Sequence, residues 1–193
     1  MTDMVDSSPD PGSPGRRFRA FVALLGCAAL VGCSPALDWR DAHPAGVDLL
    51  LTFPCKPRQV TQQVLLGGRP ASMRMTGCVA DGMTFALASA DVGSAQQVAP
   101  ALATLRASVL ANVHGTATAL HPSAVPHATA GLADAVEMDV SGHVAPGARP
   151  VHEHVVLFAR GSHVYQATAL AVGDGWRADA AATFAASIRL PAH

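Results

Sequence analysis

The chain has 193 residues, of which 50% are hydrophobic and 14% charged, with a formal net charge of -1 and nine histidines. That balance provides no basic footprint for a phosphate backbone, which argues against a nucleic-acid partner. The mean hydropathy of +0.28 has no bilayer-length run behind it: the longest apolar stretch, Ala20 to Val31, is shorter than a membrane-spanning helix requires.

In chain order, residues 1–15 are rich in Ser, Pro, Gly and Asp, a composition that cannot bury enough surface to fold. Arg16, Arg17 and Arg19 then form a basic stretch ahead of the apolar run, the layout of a secretory signal. The run ends in Leu30-Val31-Gly32-Cys33, which resembles a bacterial lipobox. The resemblance implies cleavage before Cys33 and acylation of its thiol and new N-terminus. Residues 1–32 are thus expected to be a lipoprotein signal peptide and Cys33 a lipid anchor on a membrane surface. Arg16-Arg17-Phe18 also resembles a twin-arginine signal, although the usual Phe-Leu pair is missing. Ser rather than Asp at position 34 favours, by resemblance to enteric lipoproteins, the periplasmic face of the outer membrane.

Once Cys33 carries lipid and Cys27 leaves with the signal, Cys55 and Cys78 remain. A pair of cysteines in an oxidising compartment points to a disulfide. It would close a loop of roughly 24 residues, worth about 3.4 kcal/mol in the chain-entropy model.

Residues 33–45 read as a tether, with Trp39 packing on the body, and 46–193 as one domain. Val47 to Phe53 reads as a first strand stopped by Pro54 and Pro57. Gln59 to Leu66, Gly67-Gly68 and Ala71 to Val79 read as a hairpin, followed by a strand from Met83 to Asp91 after Asp81-Gly82. A helix is expected from Ser94 as its N-cap to His114-Gly115, with Val98, Leu102, Leu105, Val109 and Val113 along one face. His121 to Gly131 reads as a surface loop. Strands follow at Asp134–Ser141, Val151–Ala159 and His163–Ala171, then a short Ala-rich helix opening at Gly175, and Ile188-Arg189-Leu190 closes the chain. Strands, helix, strands, helix describe an α+β domain with an antiparallel β-sheet flanked by helices.

Several of these segments resemble bacterial members of the PsbP/Mog1-like superfamily. They are Phe53-Pro54 at the end of the first strand, the helix from Ser94, Gly131-Leu-Ala-Asp-Ala-Val-Glu137, a hairpin ending in Val164-Tyr165, and Phe184 to Ser187. The resemblance spans about residues 46–190 and implies an antiparallel sheet in an α/β/α sandwich. The best-known members are non-enzymatic: extrinsic subunits of photosystem II and a nuclear-transport factor. Neither role carries over, because no family binding residue matches a position here. The Cys55/Cys78 pair and the many histidines depart from the family pattern.

The sequence contains no G-x-S-x-G, H-E-x-x-H or Walker motif. Gly173-Asp-Gly175-Trp-Arg-Ala178 fits a lax dinucleotide fingerprint, but too little chain follows it to build a βαβ unit. His152-Glu153-His154 is the one constellation with metal-ligand character. In a strand, His152 and His154 share one side, opposite Val151, Glu153, Val155 and Leu157. If this strand pairs with the preceding one, Glu137 and Asp139 join the two imidazoles on one face, where they could hold a divalent ion or pair as charges across the strands. His163, expected opposite Phe158, would lie too far away to join them. The expectation is therefore a lipid-anchored, non-enzymatic envelope protein that needs no cofactor and binds or scaffolds another envelope protein. The alternative is a periplasmic metal-binding protein using His152, His154 and Glu137 or Asp139.

Overall fold

The computed structural model describes residues 36–192; the expected signal peptide and Cys33 lie outside them. Alternating apolar residues and glycine turns produce nine strands: β1 (Arg40–Ala42), β2 (Leu51–Phe53), β3 (Arg58–Leu66), β4 (Arg69–Ala80), β5 (Met83–Asp91), β6 (Thr116–Pro122), β7 (Val136–His143), β8 (Pro150–Arg160) and β9 (His163–Val172). Two helices, α1 (Val98–Asn112) and α2 (Ala178–Ala186), complete the set. Strands β3 to β9 form one antiparallel sheet in the order β3-β4-β5-β9-β8-β7-β6, and β1 and β2 form a separate antiparallel pair. This is the expected α+β domain. Among the described residues no helix is long and apolar enough to cross a membrane.

The period-2 alternation of the strands splits the core in two. On one face Met73, Met138, Val140, Val155 and Leu157 meet Val98, Leu102, Leu105 and Val109 of α1. On the other, Phe85, Leu87, Phe158 and Ala169 meet Ala181 and Phe184 of α2, together with Leu51 and Phe53 of β2. The Phe184 ring packs 5.3 Å from Phe53 and 5.5 Å from Phe85, centroid to centroid. Each such fully buried ring contributes roughly 1.5–3 kcal/mol.

The hairpin β3–β4 turns on Gly67 and Gly68, both at positive φ, and β5 starts and ends where the sequence places it. Four segments differ. The segment from Val47 yields only β2, because Leu50 bridges Arg189 near the C-terminus and β2 pairs with β1 outside the main sheet. The expected tether is partly built into the domain: besides Trp39, which packs on the body as expected with its ring 6.2 Å from Phe85, Leu37 and Ala42 also pack on the α2-side core. Their apolar area gains by burial, which a free tether would forgo. The expected 121–131 loop begins later, at Ser123, because β6 forms first as an almost wholly exposed edge strand. At the helix, Ser94 caps a 3₁₀ turn at Ala95–Gln97 without a side-chain bond, and α1 itself begins at Val98.

Cys55, just beyond β2, is joined to Cys78 of β4 by a disulfide with a Cα–Cα distance of 6.0 Å. The small β1–β2 pair is thereby fastened to the main sheet. The two sheet edges differ. β6 is broken by a register shift between Thr118 and His121 and by Ala119 at positive φ, the irregularities that blunt an edge. β3 runs nine residues in unbroken register with β4.

Candidate functional site

Strands β7 and β8 pair so that Asp139 is opposite His154, Val140 opposite Glu153 and Ser141 opposite His152. Alternation then sends Val136, Met138 and Val140 into the α1-side core, and Glu137, Asp139, His152 and His154 to the opposite face. The pairing expected from the sequence is the one observed.

On that face the His154 ring bridges two carboxylates. Its Nδ1 lies 2.7 Å from Asp139 Oδ1 and its Nε2 3.1 Å from Glu137 Oε1. Carboxylates only accept, so both bonds form together only when both ring nitrogens carry a proton. A ring used in this way offers a metal ion no lone pair. Among the described residues no group of three or more His, Cys, Asp or Glu is placed to hold a metal ion. His152 takes no part in the cluster and lies instead against Trp176, with ring centroids 6.1 Å apart. The structure therefore unites His154, Glu137 and Asp139 and directs His152 elsewhere. His163 is opposite Arg160 rather than Phe158: the two-residue turn falls at Gly161-Ser162, with Gly161 at positive φ, one residue later than expected, which moves the partner of His163 by two residues.

Asp139, His152 and His154 line a cleft of about 390 Å³ between the strands and α2. Asp139, Ser141, His152 and His154 form one wall, Trp176 stands at the head of α2, and Ala178, Ala181 and Ala182 form the other. The cleft exists because α2 presents alanines there: longer side chains would fill it. No Lys or Arg lines it, so the Asp139 carboxylate and two imidazoles set its polarity. A second hollow of about 560 Å³ borders the same helix, reaching from Glu137 to Arg189 past Ala182 and Ala185. Such a surface can hydrogen-bond a ligand and favour its positive groups.

Glu153 belongs to neither wall by its side chain. It points into the α1-side core with Val151 and Val155 and is only 6% exposed. Burial pushes its carboxyl up to about 7, while a hydrogen bond from the Thr168 hydroxyl opposes the rise. Two features of this region carry weak sequence signals. Trp176 is marked only as an aromatic residue before an alanine run, and Glu153 only as an acid in a valine pattern.

Compared with known proteins, the chain matches no family model, and no curated sequence is significantly similar to it.

Proposed function

We propose that the chain is a non-enzymatic, lipid-anchored protein of the cell envelope. Cys33 carries the anchor at the periplasmic face of the outer membrane, and a PsbP/Mog1-like domain binds or scaffolds another envelope component. The observation that carries the reading is the Cys55–Cys78 disulfide, because such bonds persist outside the reducing cytosol. It agrees with the basic stretch, apolar run and Leu30-Val31-Gly32-Cys33 sequence ahead of the domain. The helix on each face of the antiparallel sheet is compatible with the superfamily resemblance. The cleft beside α2 supports binding rather than catalysis, since His154 is committed to two carboxylates and His152 lies against Trp176.

Metabolic palmitate labelling tests the anchor. The parent chain is expected to take up label and fractionate with membranes, and Cys33→Ser to lose the label and leave the membrane fraction. Unchanged membrane fractionation of Cys33→Ser overturns the reading.

A further inference from the structure

We infer that one corner of the domain, made by the β2–β3 loop and the adjoining ends of β3 and β4, lies on the lipid surface, with Lys56 and Arg58 at anionic headgroups and Val60 and Val79 against the interface. The inference rests on the proposed acylation of Cys33.

Reach provides the first argument. Leu37 already packs on the α2-side core, and it is four residues from Cys33. Four residues of extended chain span at most about 14 Å. The surface around Leu37 therefore cannot stand far from acyl chains on Cys33. The neighbouring backbone locates that surface, since Asp38 N donates to Pro54 O at 2.8 Å. The anchored chain enters the domain beside Pro54, the first residue of the β2–β3 loop.

Chemistry provides the second argument. After Pro54 comes Cys55, bonded to Cys78 of β4, so the loop is held to the sheet. Lys56 and Arg58 follow and are both exposed; Lys56 is the chain's single lysine. Asp38 is paired with Arg40 and Asp81 with Arg177, and Asp41 accepts from the Thr52 hydroxyl, so Lys56 and Arg58 leave the corner with a positive character. Val60 and Val79 are 57% and 70% exposed. Arg58 pairs with Gly77 and Val60 with Met75, so alternation puts Val60 and Val79 on the α1 face of the sheet at this same end, across the sheet end from Leu37. Basic heads beside exposed aliphatic side chains, within reach of a lipid anchor, suit the negative surface of a membrane.

Hydrogen exchange on the full acylated protein tests this. The protein is compared in vesicles of phosphatidylethanolamine and phosphatidylglycerol and in neutral detergent micelles, after mass spectrometry of the N-terminal peptide. Amides of residues 56–62 and 77–82 are expected to exchange about five-fold more slowly in vesicles, with β6 unchanged. Lys56→Glu/Arg58→Glu is expected to abolish that slowing while acylation persists. Equal exchange in vesicles and micelles, or slowing centred on β6, overturns the proposal. Slowing of β3 that is equally strong in micelles also overturns it, because it would indicate a second copy on the open strand. An N-terminal peptide without acyl groups overturns the anchoring reading itself, a result separate from the others.

Discussion

At the residue scale, Glu153 is the group whose environment and chemistry conflict most. Its neighbours across the strands are Val140 and Leu170, and the Thr168 hydroxyl donates a hydrogen bond to it. Its folded pKa of about 7 lies above the ordinary 4.5, so folding favours the protonated form. The stability this represents is complete below pH 4.5 and is lost as pH rises through about 7, a difference of about 3 kcal/mol at most. Glu153→Gln keeps the shape and removes the charge. In urea melts from pH 4 to pH 8, the parent is expected to weaken toward pH 8 and Glu153→Gln to hold its midpoint. Parallel slopes for the two proteins would refute the assignment. Strand alternation already placed Glu153 with Val151 and Val155. How fully that face is covered depends on where α1 packs, which no local pattern reports. The same limit applies to the histidines. Pairing set His154 beside Asp139 and Glu137, but the turning of His152 toward Trp176 depends on the segment leading into α2, remote in sequence from β8.

At the element scale, legibility follows burial. Strands β3, β4, β5, β7, β8 and β9 carry an alternating apolar face or turn on glycines, and all six emerge within a few residues of expectation. β6 has no buried face and ends in a proline, so its pattern is that of a loop. β1 is three residues long, too short for any periodicity. The pairing of β5 with β9 joins strands far apart in sequence, and nothing local marks them as partners. One close approach fixes how α1 meets the sheet. At Gly142 of β7 an added Cβ would stand 2.1 Å from Val113 O and 2.8 Å from Gly115 Cα, and His143 N donates to that same carbonyl at 2.6 Å. Gly142→Ala must therefore push β7 away from the end of α1, at a cost of about 2 kcal/mol. Ser141→Ala, one residue earlier on the exposed side, is expected to stay within about 0.5 kcal/mol of the parent. Equal urea midpoints for the two variants would show that β7 moves freely there.

At the scale of the whole molecule, one covalent bond connects two parts that otherwise share packing and a hydrogen bond from Arg74 of β4 to Ala45 O. The β1–β2 pair has no ladder to the seven-stranded sheet. It is held by Leu51 and Phe53 in the α2-side core, by the bridge between Leu50 and Arg189 and by Cys55–Cys78. Cys78 packs against that same core, so alanine is the fitting replacement for both cysteines. A loop of this length restrains the unfolded chain by about 3.4 kcal/mol, which for a domain of this size corresponds to a Tm lower by roughly 7–14 °C. Cys55→Ala/Cys78→Ala is expected to show that fall in a thermal melt and to match the parent after full reduction. The loss is also expected to be uneven. Without the bond, Pro54 keeps Asp38 N as a backbone partner but loses its covalent tie to β4, so exchange should accelerate more in residues 37–42 and 50–58 than in β8 and β9. A double variant that melts with the parent, or that exchanges faster everywhere alike, would mean that non-covalent contacts alone hold the small sheet in place. Where the sequence is concerned, the bond followed from cysteine arithmetic and compartment. Its task of fastening one sheet to another became visible only with the topology.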